Sequence, residues 1–364
     1  MKKLLSLTGI RAVAALWVII YHININFPSG LHNLFIDKGY LGVDMFFILS
    51  GFIISYVHQH EFLTFPSPQT IKFLILRCAR ILPVHYFMLF TYVFFFFFKS
   101  IVLHQPSDSP EKNTFIDFIY HLFNIQAWGL AGHNSWNGPA WSVSAEWFAY
   151  LMFPVLTPFI ARISGFKNNI LLIVACFAFL AGFTAVLHLP TIDWTHRFGL
   201  VRVTSEFIIG CALLNIYKQV GEQPKLMETL SKVALIGLVS AIGFQLPDIV
   251  PVACIALLIF SLTDGNTLLT RVLSSRPLVY LGEVSYSIYM VHSLFIMGVI
   301  QADRRLHLIS SEPSLQNILV YLGITVGIIV SAQLMYHFIE VPSRNFIRSL
   351  MKKENPMQQN AIPA

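Results

Sequence analysis

Long runs of apolar residues, separated by short polar segments, recur along almost the whole chain. A helix needs roughly 20 apolar residues to cross a bilayer, and the pattern predicts ten such spans in an all-α, polytopic membrane protein. The predicted spans are Leu7–Phe27, Tyr40–Val57, Pro83–Leu103, Trp141–Ile163, Ile170–Leu187, Phe198–Tyr217, Val233–Leu246, Ile249–Leu262, Tyr280–Ile300 and Ile318–Ile339. The seventh and eighth runs hold only 14 residues each, so a re-entrant interpretation stays open for both. With ten spans or with eight, both termini lie on the same side of the membrane.

The first span carries two ionisable side chains, Arg11 and His22, within an otherwise apolar run. Their separation is close to three helical turns, so both lie on one face, roughly 16 Å apart along the axis. Ionisable side chains inside a span are costly, usually face the bundle interior and mark functional sites. We therefore predict that this face lines a site. The alternative is that Arg11 extends to the lipid headgroups and His22 makes a hydrogen bond between helices.

The composition agrees with this pattern, because 55% of the residues are hydrophobic and 12% are charged. Soluble domains carry about 25% charged residues. Sixteen of the 24 Lys and Arg residues fall on one side of the predicted spans, and two lie within spans. Six fall on the other side: Lys38, Lys99, Lys112, Arg197, Arg304 and Arg305. Because cytoplasmic segments carry an excess of Lys and Arg, we predict that both termini are cytoplasmic and that the net charge of +6 reflects topology and not nucleic-acid binding.

The chain has four cysteines in or beside its apolar segments: Cys78, Cys176, Cys211 and Cys254. Their spacing matches neither a disulfide framework nor a metal site. We interpret them as small packing residues, and we predict no bound metal ion.

The predicted orientation places several polar residues in the outer half of the membrane. Asp44 in the second span and Glu146 in the fourth lie at a depth similar to that of His22. In the sixth span, Arg202 and Glu206 are four residues apart, a spacing at which helical side chains can pair. We interpret this last pair as structural.

A second group of polar residues lies near the cytoplasmic surface. Arg77 and Arg80 are one turn apart on a helix that enters the membrane, and Arg11 lies at a similar depth. This arrangement would suit the transfer of a group from an anionic donor in the cytoplasm to an acceptor that approaches from outside.

Six motifs together resemble a known family. In chain order they are SLTGIRAVAALWVIIYH, GYLGVDMFFILSGF, RCARILP, WSVSAEWFAY, LGEVSYSIYMVH and YHFIEVPSRNFIR. Their order and spacing are similar to the pattern of the integral membrane acyltransferase family 3, the bacterial O-acetyltransferases of O-antigen, exopolysaccharide and Nod-factor glycans. The resemblance covers nearly the whole chain and implies an acyltransferase domain at 1–345 and a short cytoplasmic tail at 346–364.

The resemblance also implies substrates and roles. The expected donor is an acyl-CoA, usually acetyl-CoA, which is a co-substrate and not a permanently bound cofactor. The expected acceptor is a hydroxyl of a glycan or lipid-linked saccharide at the outer face of the bacterial inner membrane. The family's arginine and histidine of the first span fall on Arg11 and His22, with Arg11 expected to bind the donor or to polarise its thioester. The family's Arg-x-x-Arg motif, associated with the donor, falls on Arg77 and Arg80.

Within this picture His22 is the expected general base, because an imidazole titrates near physiological pH. An acyl-His intermediate is the less favoured variant. Asp44 or Glu146 would orient its other nitrogen, as a carboxylate does in a hydrolytic triad. The alternatives are an interhelical hydrogen bond for Asp44 and a cap-like role in the first turn of a helix for Glu146. Arg77 and Arg80 would bind the CoA phosphates, or would only anchor the helix at the cytoplasmic surface.

Acceptor-binding residues are expected at the outer ends of the fourth and ninth spans. The candidates are Trp136, Asn137, Trp141, Tyr289 and His292. Trp136 and Asn137 could stack on and hydrogen-bond a sugar, but a loop of this composition is also typical of a turn at the membrane surface. Tyr289 and His292 share one helix face and could equally form a cavity wall.

A proton-coupled transporter is the main alternative from another class, because His, Asp, Glu and Arg inside a bundle also describe a proton relay. The sequence contains no inverted repeat, and a cytoplasmic Arg-x-x-Arg motif has no role in such a transporter. A purely structural membrane protein is a third interpretation, but it would not need charge in five separate spans. We therefore favour the acyltransferase.

Overall fold

The chain forms a bundle of α-helices in the computed structural model, which describes residues 3–27, 33–102, 104, 112–221, 223–263, 267–310, 312 and 314–353. These residues contain no β-strand, which confirms the all-α prediction. The helices are α1 (Leu5–Asn26), α2 (Leu34–Asp37), α3 (Leu41–His58), α4 (Thr70–Ile101), α5 (Phe115–Leu122), α6 (Trp141–Ile160), α7 (Phe166–Val186), α8 (Gly199–Val220), α9 (Pro224–Gly243), α10 (Ile249–Ser261), α11 (Leu268–Leu273), α12 (Arg276–Leu306), α13 (Leu315–Met335) and α14 (Val341–Lys353). Two 3₁₀ turns, Gln59–Phe62 and Gly138–Ala140, and a π-helical turn, Tyr336–Glu340, complete the described elements. The predicted tail at 346–364 begins inside α14, and residues 354–364 lie outside the described part.

Nine of the described helices are long and apolar enough to cross a membrane, and each corresponds to a predicted span. The polytopic architecture is therefore confirmed. The bounds predicted for the seventh span, Val233–Leu246, are too narrow. The observed helix α9 has 20 residues and starts at Pro224, because the polar stretch before the apolar run is also helical. Similarly, α4 starts at Thr70 and continues through Pro83.

Helices α1 and α3 pack antiparallel. Gly39, just before α3, lies against Tyr21 near the end of α1, whereas Gly42 lies against Ala14 near the middle of α1. The starts of these two helices therefore lie on opposite faces of the bundle.

The eighth predicted span, Ile249–Leu262, is α10, which has only 13 residues. Just before its start, Asp248 accepts a hydrogen bond of 2.9 Å from the Tyr40 hydroxyl, beside the start of α3. Just after its end, the carbonyl of Leu262 accepts a hydrogen bond of 2.7 Å from Ser6, beside the start of α1. Because the starts of α1 and α3 lie on opposite faces, α10 connects the two faces of the bundle even though it is short.

Helix α12 runs parallel to α1, and α13 returns. Gly282 near the start of α12 lies against the carbonyl of Thr8, and a Cβ at this glycine would collide with the carbonyl oxygen. The hydroxyl of Tyr280 lies 3.2 Å from Nε2 of His337, just beyond the end of α13. The start of α1 and the end of α13 therefore lie on one face, as the sequence predicts. That this face is cytoplasmic stays a prediction from the charge distribution.

Helices α3 and α8 approach each other very closely. A Cβ at Gly51 would collide with the carbonyl oxygen of Phe207, and small residues at helix interfaces in membranes permit this kind of approach. The contact places the N-terminal part of α3, with Asp44, directly beside Arg202 of α8.

Candidate functional site

A cavity near the middle of the bundle has three arginine side chains in its wall. Arg11 comes from α1, whereas Arg77 and Arg80 come from α4. Glu146 of α6 lines the same cavity, and so does Tyr289 of α12. The structure thus brings together the three arginines that the sequence places near one membrane surface.

Among the described residues, two of the three arginines in this wall have no carboxylate partner. Nη1 of Arg80 lies 3.9 Å from Oε1 of Glu340, and Nη2 of Arg77 lies 3.1 Å from Nε2 of His58. Within the described residues, no carboxylate lies within ion-pairing distance of Arg11 or Arg77. Guanidinium groups bind phosphates and carboxylates through paired N–H donors, so the cavity is equipped to hold an anion.

Glu146 lies deeper in the bundle than the sequence predicts. Its Oε1 accepts hydrogen bonds from Ser50 at 2.7 Å and from Tyr150 at 2.5 Å. Ser50 lies nearly two turns further along α3 than Asp44, so the prediction that Glu146 and Asp44 share one depth is wrong. The reason is the turn Gly138–Ala140, which is already buried inside the bundle and carries the start of α6 inward.

Asp44 is held by Arg202 and not by His22. Nε and Nη2 of Arg202 donate to the two carboxylate oxygens of Asp44 at 2.9 and 2.5 Å. Both side chains are 0% exposed. Glu206, the partner that the sequence suggests for Arg202, is a more distant neighbour at 3.8 Å. Because Arg202 engages both oxygens, the prediction that Asp44 orients His22 is wrong, and Asp44 makes an interhelical ion pair.

A further acidic residue, Asp193, comes from the loop between α7 and α8. Its Oδ1 accepts a hydrogen bond of 3.4 Å from Nη1 of Arg202. Burial raises the pKa of the Asp193 carboxyl, while Arg202 and, more weakly, His22 act in the opposite direction. Asp193 is therefore a carboxylate whose electric field reaches His22. Asp193 lies in a loop outside the six motifs, so no sequence pattern marks it as a site residue.

His22 contacts a second histidine near the C-terminal end of α1. The ring centroids of His22 and His292 are 4.7 Å apart, with an angle of 61° between the rings. Nδ1 of His22 donates to the carbonyl of Val18 at 2.8 Å. Nδ1 of His292 donates to the carbonyl of Tyr289 at 2.5 Å. The structure thus pairs the predicted base with a residue predicted to bind the acceptor.

Tyr289 lies between the arginine cavity and this histidine pair. It lines the cavity, and its ring centroid is 5.5 Å from that of His292. Its hydroxyl donates to the carbonyl of Pro139 at 2.9 Å and accepts from Ser142 at 2.8 Å. The cavity and the pair are therefore adjacent, and one tyrosine side chain contacts both.

Three of the predicted acceptor-binding residues are used for packing. The ring of Trp136 packs edge-on against Phe118, with centroids 6.1 Å apart. Asn137 is 1% exposed. Trp141 is 7% exposed, and the guanidinium of Arg202 lies 5.5 Å from its ring centroid. The prediction that Asn137 and Trp141 present a sugar-binding surface is therefore wrong, because the loop that carries Asn137 and the start of α6 that carries Trp141 are both folded into the bundle.

Comparison with known proteins identifies the family. The family model described as an acyltransferase domain matches residues 4–337, so the chain belongs to this acyltransferase family, as the motifs indicate. Over 93% of its length the chain is 26% identical to the peptidoglycan O-acetyltransferase OatA of Listeria monocytogenes. It is 29% identical, again over 93% of its length, to the putative peptidoglycan O-acetyltransferase YrhL of Bacillus subtilis. The O-acetyltransferase OatA of Staphylococcus aureus is 24% identical over 93% of the chain.

The chain spans about half the length of these relatives, covering 55%, 54% and 57% of them respectively. No solved structure matches the chain.

Proposed function

We propose that the chain transfers an acetyl group from acetyl-CoA, bound at the cytoplasmic face, to a hydroxyl of an exported cell-wall glycan at the outer face of the bacterial inner membrane. The observation that carries this proposal is the arginine cavity beside the histidine pair, with Tyr289 in contact with both. Family membership supports acyl transfer, and the names of the relatives support an O-acetyl product.

Arg11, Arg77 and Arg80 form the proposed donor site. Coenzyme A carries several phosphate groups, and guanidinium groups are well suited to bind them. Arg11 and Arg77 have no carboxylate partner within the described residues, and the buried Nε of Arg77 has no hydrogen-bond partner there, so N–H donors remain available for such an anion. Arg11 would bind the donor or polarise its thioester, the two roles that the motif allows.

His22 is the proposed general base. Its Nδ1 already donates to the carbonyl of Val18, so Nε2 is the nitrogen that can accept a proton. The acceptor O–H bond breaks as its proton moves to Nε2, and the oxygen attacks the thioester carbonyl. The carbon–sulfur bond then breaks, and the leaving thiolate takes the proton from His22. The ester and free coenzyme A are the products.

Peptidoglycan is the proposed acceptor. Two of the three relatives named above carry peptidoglycan in their names, whereas O-antigen, exopolysaccharide and Nod-factor glycans receive no support from those names. The histidine pair lies toward the face that we predict to be external, which is where an exported glycan would meet the site. We place peptidoglycan first for this reason.

The proposal is tested with purified protein in lipid nanodiscs, which expose both faces of the membrane. Radiolabelled acetyl-CoA and isolated peptidoglycan are added, and label that mild alkali releases from the glycan is counted. We expect label with the wild-type protein and none with His22→Gln at equal protein level. A proton-coupled transporter would label nothing. Failure of the wild-type protein to label peptidoglycan, under conditions in which a known O-acetyltransferase does, would refute the proposed acceptor.

A further inference from the structure

His292 has a buried nitrogen that the proposed transfer does not yet use. The side chain is 0% exposed, and within the described residues its Nε2 has no hydrogen-bond partner. A buried polar atom without a partner costs free energy. Such atoms in native structures point to a ligand, a water molecule or a catalytic role. The ring that lies nearest on the side of α1 is that of His22.

The tautomers of the two rings follow from their neighbours. A backbone carbonyl can only accept a hydrogen bond, so Nδ1 carries the hydrogen in His292, where it faces the carbonyl of Tyr289, and in His22, where it faces the carbonyl of Val18. In each neutral ring Nε2 is then an acceptor with a free lone pair. Two acceptors cannot bond to each other until one of them gains a proton.

We propose that His292 is a positioning residue for His22. When His22 removes the acceptor's proton, the new Nε2–H is shared in a three-centre hydrogen bond between the acceptor oxygen and Nε2 of His292. This inference rests on the proposed function. The balance of the reaction is unchanged: the proton leaves the acceptor oxygen, resides on His22 while His292 shares it, and passes to the thiolate. His292 itself is neutral before and after the transfer.

The surroundings explain what a neutral partner would add, because the nearby carboxylates in the described part of the chain make no direct bond to His22. The carboxylate of Asp44 is engaged by Arg202, and the carboxylate of Glu146 by Ser50 and Tyr150. Asp44 is thus compensated by Arg202, and no hydrogen bond within the described residues joins Asp44 or Glu146 to His22. Asp193, whose charge acts on His22 from a distance, is itself hydrogen-bonded to Arg202. A hydrogen bond from a charged donor is stronger than one between neutral groups, so the free lone pair of His292 stabilises the imidazolium without adding a second buried charge.

Two substitutions separate this role from a packing role, because each keeps one of the two nitrogens of His292. In His292→Asn the amide reaches the position of Nδ1 and keeps the hydrogen bond to Tyr289, but no acceptor remains near His22. In His292→Gln the longer side chain places its amide oxygen near the position of Nε2 and keeps the acceptor. His188→Asn serves as the control, since His188 is an exposed loop residue with a left-handed backbone that Asn tolerates.

Acetyl transfer is measured in nanodiscs, with kcat and the KM of both substrates determined at equal protein level. We expect His292→Asn to lower kcat by roughly 10- to 100-fold, the effect of losing a hydrogen bond to a charged group, with both KM values within about twofold of wild type. His292→Gln should recover most of that loss, and His188→Asn should behave as wild type.

The opposite ranking, an active Asn variant and an inactive Gln variant, would show that His292 only holds the Tyr289 carbonyl and would overturn the proposal. Equal activity of both variants and wild type would also overturn it, while leaving His22 as the base. A wild-type protein that transfers no acetyl group would refute the proposed function as well, so the two failures are distinguishable.

Discussion

The buried ion pair between Asp44 and Arg202 gives the sharpest mutational prediction. Both side chains are 0% exposed, and two hydrogen bonds of 2.9 and 2.5 Å join them. Asp44→Asn removes the carboxylate charge and leaves the guanidinium buried. Breaking a buried pair in this way costs about 3–5 kcal/mol. Glu206, at 3.8 Å from Nε, compensates part of the loss, so we expect the lower end of that range.

This loss is measured as the unfolding midpoint of the purified protein in detergent or nanodiscs. We expect the midpoint to fall by at least about 5 °C, because each kcal/mol corresponds to roughly 2–4 °C in a domain of moderate size. The pair Glu228–Lys232 provides the control, since its bond of 2.8 Å is similarly short but both side chains are largely exposed. Glu228→Gln should leave the midpoint unchanged.

The result also decides between two roles for Asp44. If the role of Asp44 is to stabilise the bundle, Asp44→Asn protein that is still folded at low temperature should keep its acetyl-transfer activity. A variant with an unchanged midpoint and no activity would refute this reasoning and would return Asp44 to the role of orienting the base.

Three further predictions concern the site. Arg80→Lys keeps the positive charge but loses the planar, paired donors, so the KM for acetyl-CoA should rise by about tenfold; an unchanged KM in nanodiscs would make Arg80 a topology signal only. His22→Gln should lower transfer by 10² to 10⁴-fold, as expected for loss of a general base, with normal protein level on immunoblots; an active variant would exclude His22 as the base. Burial raises the pKa of Asp193, so the folded state binds this proton more tightly than the unfolded state and loses stability as pH rises through that pKa. The stability of Asp193→Asn relative to wild type should therefore rise in thermal unfolding as the pH rises above the ordinary carboxyl pKa of about 3.9, and a relative stability that falls with rising pH would contradict the assigned direction.

The helices could be predicted from the sequence because a helix that crosses a bilayer needs a long apolar run, and each such run is visible in the sequence itself. Even α10, at 13 residues, was identifiable, although only its contacts at both ends show that it joins the two faces. The grouping of Arg11, Arg77 and Arg80 was also accessible, since the charge distribution places them at one depth.

The depth and partners of the acidic residues were not accessible in the same way. Hydropathy places the start of α6 at the membrane boundary, but the preceding loop is folded into the bundle and carries Glu146 inward. Asp44 and Arg202 are 158 residues apart, and only the close packing of α3 against α8 brings them together. Asp193 lies in a loop that no pattern marks. Contacts of this kind depend on tertiary packing, which cannot be predicted from the residues of one segment alone.

The central claim is that an acetyl group passes from a donor at the cytoplasmic face to an acceptor at the outer face, between the arginine cavity and the histidine pair. Sealed inverted vesicles test this claim most directly, because their cytoplasmic face is outside. Radiolabelled acetyl-CoA is added outside, with glycan fragments trapped in the lumen and a distinguishable set of fragments outside. We expect label on the trapped fragments alone, and none with His22→Gln. Label on the outside fragments alone would contradict the account, because donor and acceptor would then use the same face.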